Sequence, residues 1–124
     1  MAKGNREDAI RLVSEMESEF EDSWIMYLGI GDIYARIGEY EKAKYYYRQY
    51  TLHQSPPRYT DSLTSIAQIC EMQGDYSGAI DAIREEIRLL AEDWNTTTGE
   101  TVDQHLRKIE LLERKLMSKE GRGA

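Results

Sequence analysis

Apolar side chains recur along this chain every three or four positions, the period of a helix with one buried face. Six helical segments are predicted. The first covers residues 5–20, with Ala9, Ile10, Val13, Met16 and Phe20 inward. Asn5 stands where it could cap that helix, and Glu7 and Asp8 fall in the first turn, where the helix dipole favours negative charge. The second covers 23–37, with Trp24, Tyr27, Ile30, Gly31 and Tyr34 on one face. Gly38 follows it, and glycine suits the left-handed residue that ends a helix. The third covers 39–53 on a stripe of Tyr40, Ala43, Tyr47 and Tyr50; Pro56 and Pro57 then stop it, because proline has no N–H to give. The fourth covers 57–73 (Leu63, Ile66, Ala67, Cys70) and ends at Gly74. The fifth covers 75–92, with Tyr76, Ala79, Ile80, Ile83, Ile87 and Leu90 inward. After a polar loop at 93–99, the sixth covers 100–117 on Val102, Leu106, Ile109, Leu112 and Leu116. Thr101 and Gln104 have capping-box spacing at its start. Residues 118–124 read as a flexible tail.

The chain also repeats itself. Gly38-Glu39-Tyr40-Glu41-Lys42-Ala43 returns 36 residues later as Gly74-Asp75-Tyr76-Ser77-Gly78-Ala79. At the same offset Tyr27 meets Leu63, Ile30 meets Ile66, Gly31 meets Ala67, Tyr34 meets Cys70 and Tyr47 meets Ile83. Large residues match large ones and small match small, so the repeat is of a packed unit and not of a turn alone. Gly31 and Ala67 are placed where two helices of a hairpin cross, with Ala43 and Ala79 facing them from the partner helix. Residues 4–9 echo the turn phrase once more, with Arg6 in place of the tyrosine.

This phrase resembles the tetratricopeptide-repeat (TPR) family, which places a large residue, Leu-Gly and Tyr on one helix and Ala with a large aromatic on the next. Tyr27, Ile30-Gly31, Tyr34, Gly38, Tyr40, Ala43, Tyr47 and Pro56 carry the resemblance. It implies an all-α fold: a right-handed superhelical stack of antiparallel helix hairpins, a TPR-like solenoid of about six helices. One TPR-like domain is expected over 1–117. Residues 4–21 form the second helix of a partial repeat, 23–56 and 57–93 two repeats, and 99–117 a terminal capping helix.

Composition narrows the function. A net charge of −7 and a pI near 4.9 make nucleic acid a poor partner. No apolar run reaches the roughly 20 residues that span a bilayer. The start lacks the apolar stretch of a secretory leader, and the single cysteine, Cys70, permits no internal disulfide; both point to the cytoplasm. His53 and His105 have no acid or nucleophile phrase around them, no metal-ligand spacing is present, and Gly29 and Gly31 lie inside a helix. No catalytic residue, metal or cofactor is expected. Tyr45 and Leu111 project away from the apolar stripes of their helices, and Leu111 raises the possibility of a homodimer.

The resemblance implies a protein- or peptide-binding face on the first helix of each repeat. Carried over by position, that face holds Ile25, Leu28, Asp32, Ala35 and Arg36, then Asp61, Thr64, Gln68, Glu71 and Met72. Leu28, Asp32 and Ser65 stand where co-chaperone TPRs carry the clamp for a terminal carboxylate, so the acidic rim suits a basic or neutral segment instead. The expected function is a peptide-binding scaffold belonging to a longer protein. Its rivals are a sensor domain like the repeats of Gram-positive peptide receptors and a self-association module.

Overall fold

The computed structural model describes residues 3–20 and 23–123, with the side chains of 5–20 and 23–119. Among the described residues the chain is all-helical, without a strand: α1 (Lys3–Glu19), a 3-10 turn (Trp24–Met26), α2 (Tyr27–Arg36), α3 (Tyr40–Leu52), α4 (Asp61–Met72), α5 (Tyr76–Trp94) and α6 (Glu100–Gly123). It divides into two compact units, Met1–Gln54 and Ser55–Ala124.

The first unit is built on the α2–α3 hairpin, with α1 packed on α2. Gly38, at φ 83°, closes α2. Gly38 N–H donates to the Ala35 carbonyl and Glu39 N–H to the Tyr34 carbonyl at 2.9 Å, the pair of bonds that ends a helix on a left-handed glycine. The helices cross at Gly31. A Cβ there would stand 2.9 Å from the Tyr47 ring and 3.3 Å from the Ala43 carbonyl oxygen. Ile30, Ala43 and Tyr47 fill the buried centre, and Val13 brings α1 onto it.

The second unit repeats that hairpin as α4–α5 and adds α6 against α5. Gly74 takes φ 76°, and Asp75 N–H donates to the Cys70 carbonyl at 2.8 Å. Ala67 and Ala79 are buried at the positions of Gly31 and Ala43. Here the filling is aliphatic: Leu63, Ile66, Ile69, Ile80, Ile83, Leu89, Ile109 and Leu112.

Several boundaries differ from the sequence expectation. Helix α1 already includes Lys3, so Asn5 lies within it and caps nothing. Ile10 is 42% exposed, since Val13 makes the inward contact. The predicted second helix is a 3-10 turn followed by an α-helix. Helix α4 starts at Asp61, not at Pro57, because the preceding segment is tied to the end of α5. Arg58 grips Asp93 through two guanidinium bonds of 2.7 and 3.1 Å, its own N–H donates to Asp93, and Trp94 Nε1 donates to the Arg58 carbonyl. Bidentate pairs of this kind are short and geometrically specific. Helix α5 runs on to Trp94 and ends on Asn95 in the left-handed region at φ 52°. Helix α6 begins at Glu100, which puts Thr101 inside it and leaves no capping box; it extends through the expected tail to Gly123.

Candidate functional site

The stripe predicted for ligand contact follows a common register. In the first unit Ile25, Leu28, Asp32 and Arg36 step by three, four and four residues; in the second Asp61, Thr64, Gln68 and Met72 do the same, 36 positions on. Such steps keep side chains on one helical face. All eight are exposed except Leu28, which is half-buried. Ile25 and Met72, at 66% and 64% exposed, end the two stripes with apolar side chains in water. Ile25 belongs to the 3-10 turn rather than to α2 itself.

Ala35 and Glu71 stand at equivalent positions beside the stripes, and both are half-buried. Glu71 faces α6: Lys108 Nζ lies 2.8 Å from one carboxylate oxygen and Lys115 Nζ 3.2 Å from the other. The Lys108 hydrogen bond chiefly holds its carboxyl below the usual range. Its charge is spent on fixing α6. Asp32 accepts from the Tyr47 hydroxyl at 2.6 Å, which ties the stripe of the first unit to its core.

Thr64 leads inward as well. Its hydroxyl donates at 2.8 Å to Glu86, which is 2% exposed on α5, and the same Glu86 oxygen lies 3.3 Å from His105 Nε2 on α6. Burial pushes the Glu86 carboxyl up to about 7, against the Thr64 bond and with the help of the nearby Asp61 charge. Burial pulls the His105 imidazole down. Both shifts favour an uncharged acid beside an uncharged imidazole. The helical period places Leu106 in the core; the structure turns it outward, 51% exposed, and sets the half-buried His105 inward beside it. The inward stripe of α6 is Val102, His105, Ile109, Leu112, and a step of three from Val102 would have found it. Glu86 lies between the inward Ile83 and Leu89, and that position was its only signal.

Tyrosine hydroxyls organise the first unit. Glu17 on α1 accepts from Tyr46 at 2.6 Å and also from Tyr34. Tyr34 and Tyr46 stack with ring centres 5.8 Å apart. Burial first, and then the Glu17 bond and charge, hold both phenols well above the ordinary tyrosine value. Cys70 is buried in the core of the second unit. Among the described residues no helix is long and apolar enough to cross a membrane.

No protein-family model matches the chain, and no curated protein matches it at a significant level.

Proposed function

We propose that the chain is a TPR-like binding module, not an enzyme, whose units each offer the stripe on their first helix to a protein or peptide segment. The superhelical order and the cytoplasmic setting implied by the resemblance belong to the same proposal. One observation carries it: the stripes 25-28-32-36 and 61-64-68-72 keep a common register and, half-buried Leu28 apart, face solvent in both units. A repeated, solvent-facing register mixing apolar and polar groups is what a repeat protein uses to read an extended ligand. With Glu71 neutralised by Lys108 and Lys115, the free acidic character of the stripes rests on Asp32 and Asp61. A segment with one or two basic residues among apolar ones suits them best.

The test is a peptide-display selection on the whole chain, followed by binding measurements on Leu28→Arg and Gln68→Arg. Helical dichroism confirms that each variant is folded. Selected peptides should lose at least about tenfold in affinity, the scale of one anchor contact. Peptides that bind both variants as tightly as the parent chain would overturn the assignment. Self-association is the second reading, supported by exposed Leu106, Leu111 and Met117 on α6. Sedimentation at rising concentration tests it, and a monomer throughout excludes it.

A further inference from the structure

The first unit contains a half-open cavity of about 520 Å³ that none of the stripe residues lines. Helices α1, α2 and α3 enclose it, with Glu17, Phe20, Tyr27, Tyr45, Tyr46 and Gln49 among its walls. The rings do not form a flat slab. Tyr27 meets Tyr46 at 63° with centres 5.6 Å apart, and Tyr45 meets Tyr46 at 85° and 5.2 Å. Rings set at steep angles form the walls of a box, each offering a π face or an edge to whatever enters.

Among the described residues, Glu17 is the charged side chain in that wall. Its two oxygens already accept from the Tyr46 and Tyr34 hydroxyls, so the carboxylate is fixed in place and need not reorganise. Both hydroxyls stay protonated, since burial and Glu17 raise them. The sequence of α1 and α2 is acidic, with six acidic residues and no lysine or arginine in residues 12–35, while α3 adds Lys42, Lys44 and Arg48 outside the cavity wall. An anion would be repelled by Glu17 in the wall, and a purely apolar guest would strip water from Glu17 without compensation. A metal ion would find a single carboxylate among phenols. An organic cation satisfies both features, because its charge pairs with Glu17 while its methyl or methylene groups lie on the negative ring faces. The fold shows this contact internally: Lys42 Nζ stands 5.3 Å over the Tyr34 ring, and Lys42 does not line the cavity.

We propose that the Glu17–Tyr27–Tyr45–Tyr46 cavity is a binding site for an alkylammonium group. The group is either the tip of a methylated or plain lysine on a partner peptide or a free quaternary amine. The site is separate from the stripes, so either assignment can fail alone.

The experiment follows tyrosine ring resonances of the whole chain by NMR during three titrations. The probes are choline, its uncharged isostere with a tert-butyl group in place of the trimethylammonium, and a short peptide bearing one trimethyllysine. Choline should shift the rings, with the isostere weaker by about tenfold or more, the scale of a partly desolvated cation–π site. A peptide tighter than choline assigns the group to a partner's lysine; choline as tight as the peptide assigns it to a free amine. Tyr45 is 57% exposed, so Tyr45→Leu should fold normally and weaken choline by about fivefold, the loss of one ring face. Glu17→Gln should weaken it further. Equal binding of choline and its isostere, no ring shifts with any probe, or undiminished binding in folded Tyr45→Leu would overturn the proposal.

Discussion

The two units carry the same hairpin and fill it differently. Both turn on a left-handed glycine at equivalent positions, and both bury a small residue where their helices cross. The first then packs tyrosines whose hydroxyls end on Glu17 and Asp32, while the second packs leucine and isoleucine against a third helix. A phenol brings apolar area into a core but keeps a polar tip that must find a partner. The tyrosine unit is therefore organised around fixed carboxylates and keeps a cavity. The second unit fills its core with aliphatic side chains around the buried Glu86. One hairpin is thus filled by two different side-chain chemistries.

Each unit holds one tryptophan, Trp24 in the first and Trp94 in the second, so the contrast can be probed unit by unit in Trp24→Phe and Trp94→Phe backgrounds. The largest effect is expected from Leu112→Ala. Leu112 is fully buried, and its truncation should destabilise the Trp94-reported transition by about 2–5 kcal/mol in urea. A loss below about 1 kcal/mol would show that α6 contributes little to the aliphatic unit.

Next comes the pH dependence of that unit. The Glu86 carboxyl is raised in the folded chain, so between its ordinary 4.5 and about 7 the folded state holds a proton that the unfolded state has lost. The Glu86 contribution is therefore complete below pH 4.5 and is lost as pH rises to about 7, by roughly 3 kcal/mol at most. Thr64 and Asp61 on α4 and His105 on α6 face this group. His105, lowered by burial, runs the other way as pH falls below 6.5. Comparison with Glu86→Gln isolates the acid: the stability difference between parent and variant should change across that window, and a constant difference would remove Glu86 as its source.

Gly31→Ala should cost about 1–3 kcal/mol by overpacking against Tyr47, despite the better helix propensity of alanine. The reverse change in the aliphatic unit, Ala67→Gly, should cost about 1 kcal/mol through propensity. If Gly31→Ala stabilises the chain instead, the crossing in the tyrosine unit is looser than its contacts indicate. The smallest effect separates the two turns. Asp75 accepts from Gly78 N–H at 2.9 Å and caps α5, whereas the equivalent Glu39 makes no side-chain cap. Asp75→Ala should lower the melting transition by the equivalent of about 1 kcal/mol, and Glu39→Ala should leave it nearly unchanged.

The repeat made much of this legible. Gly38 and Gly74 announced the turns, and Ala43, Ala79, Gly31 and Ala67 the crossings, because those positions tolerate few residue types. The ends of the elements were harder to read. Helix α4 starts late because Arg58 is held by Asp93, 35 residues away, and local propensity carries no trace of that tether. Leu106 lost its inward place to His105 because Glu86 offers a partner inside, a preference set by another helix. In the candidate stripes, register was readable from spacing, but the pairing of Glu71 with two lysines required knowing where α6 lies. Glu17 looked like one charge among many until two phenols were found on it.

The Arg58–Asp93 clamp and the Trp94 bond join the entry of the α4–α5 hairpin to its exit. Those helices are thus fastened into a ring before the chain reaches Thr96. A foreign sequence spliced between Thr97 and Gly99 would lengthen the tether to α6 without opening that ring. This makes the loop a natural graft point for a tag or a second domain.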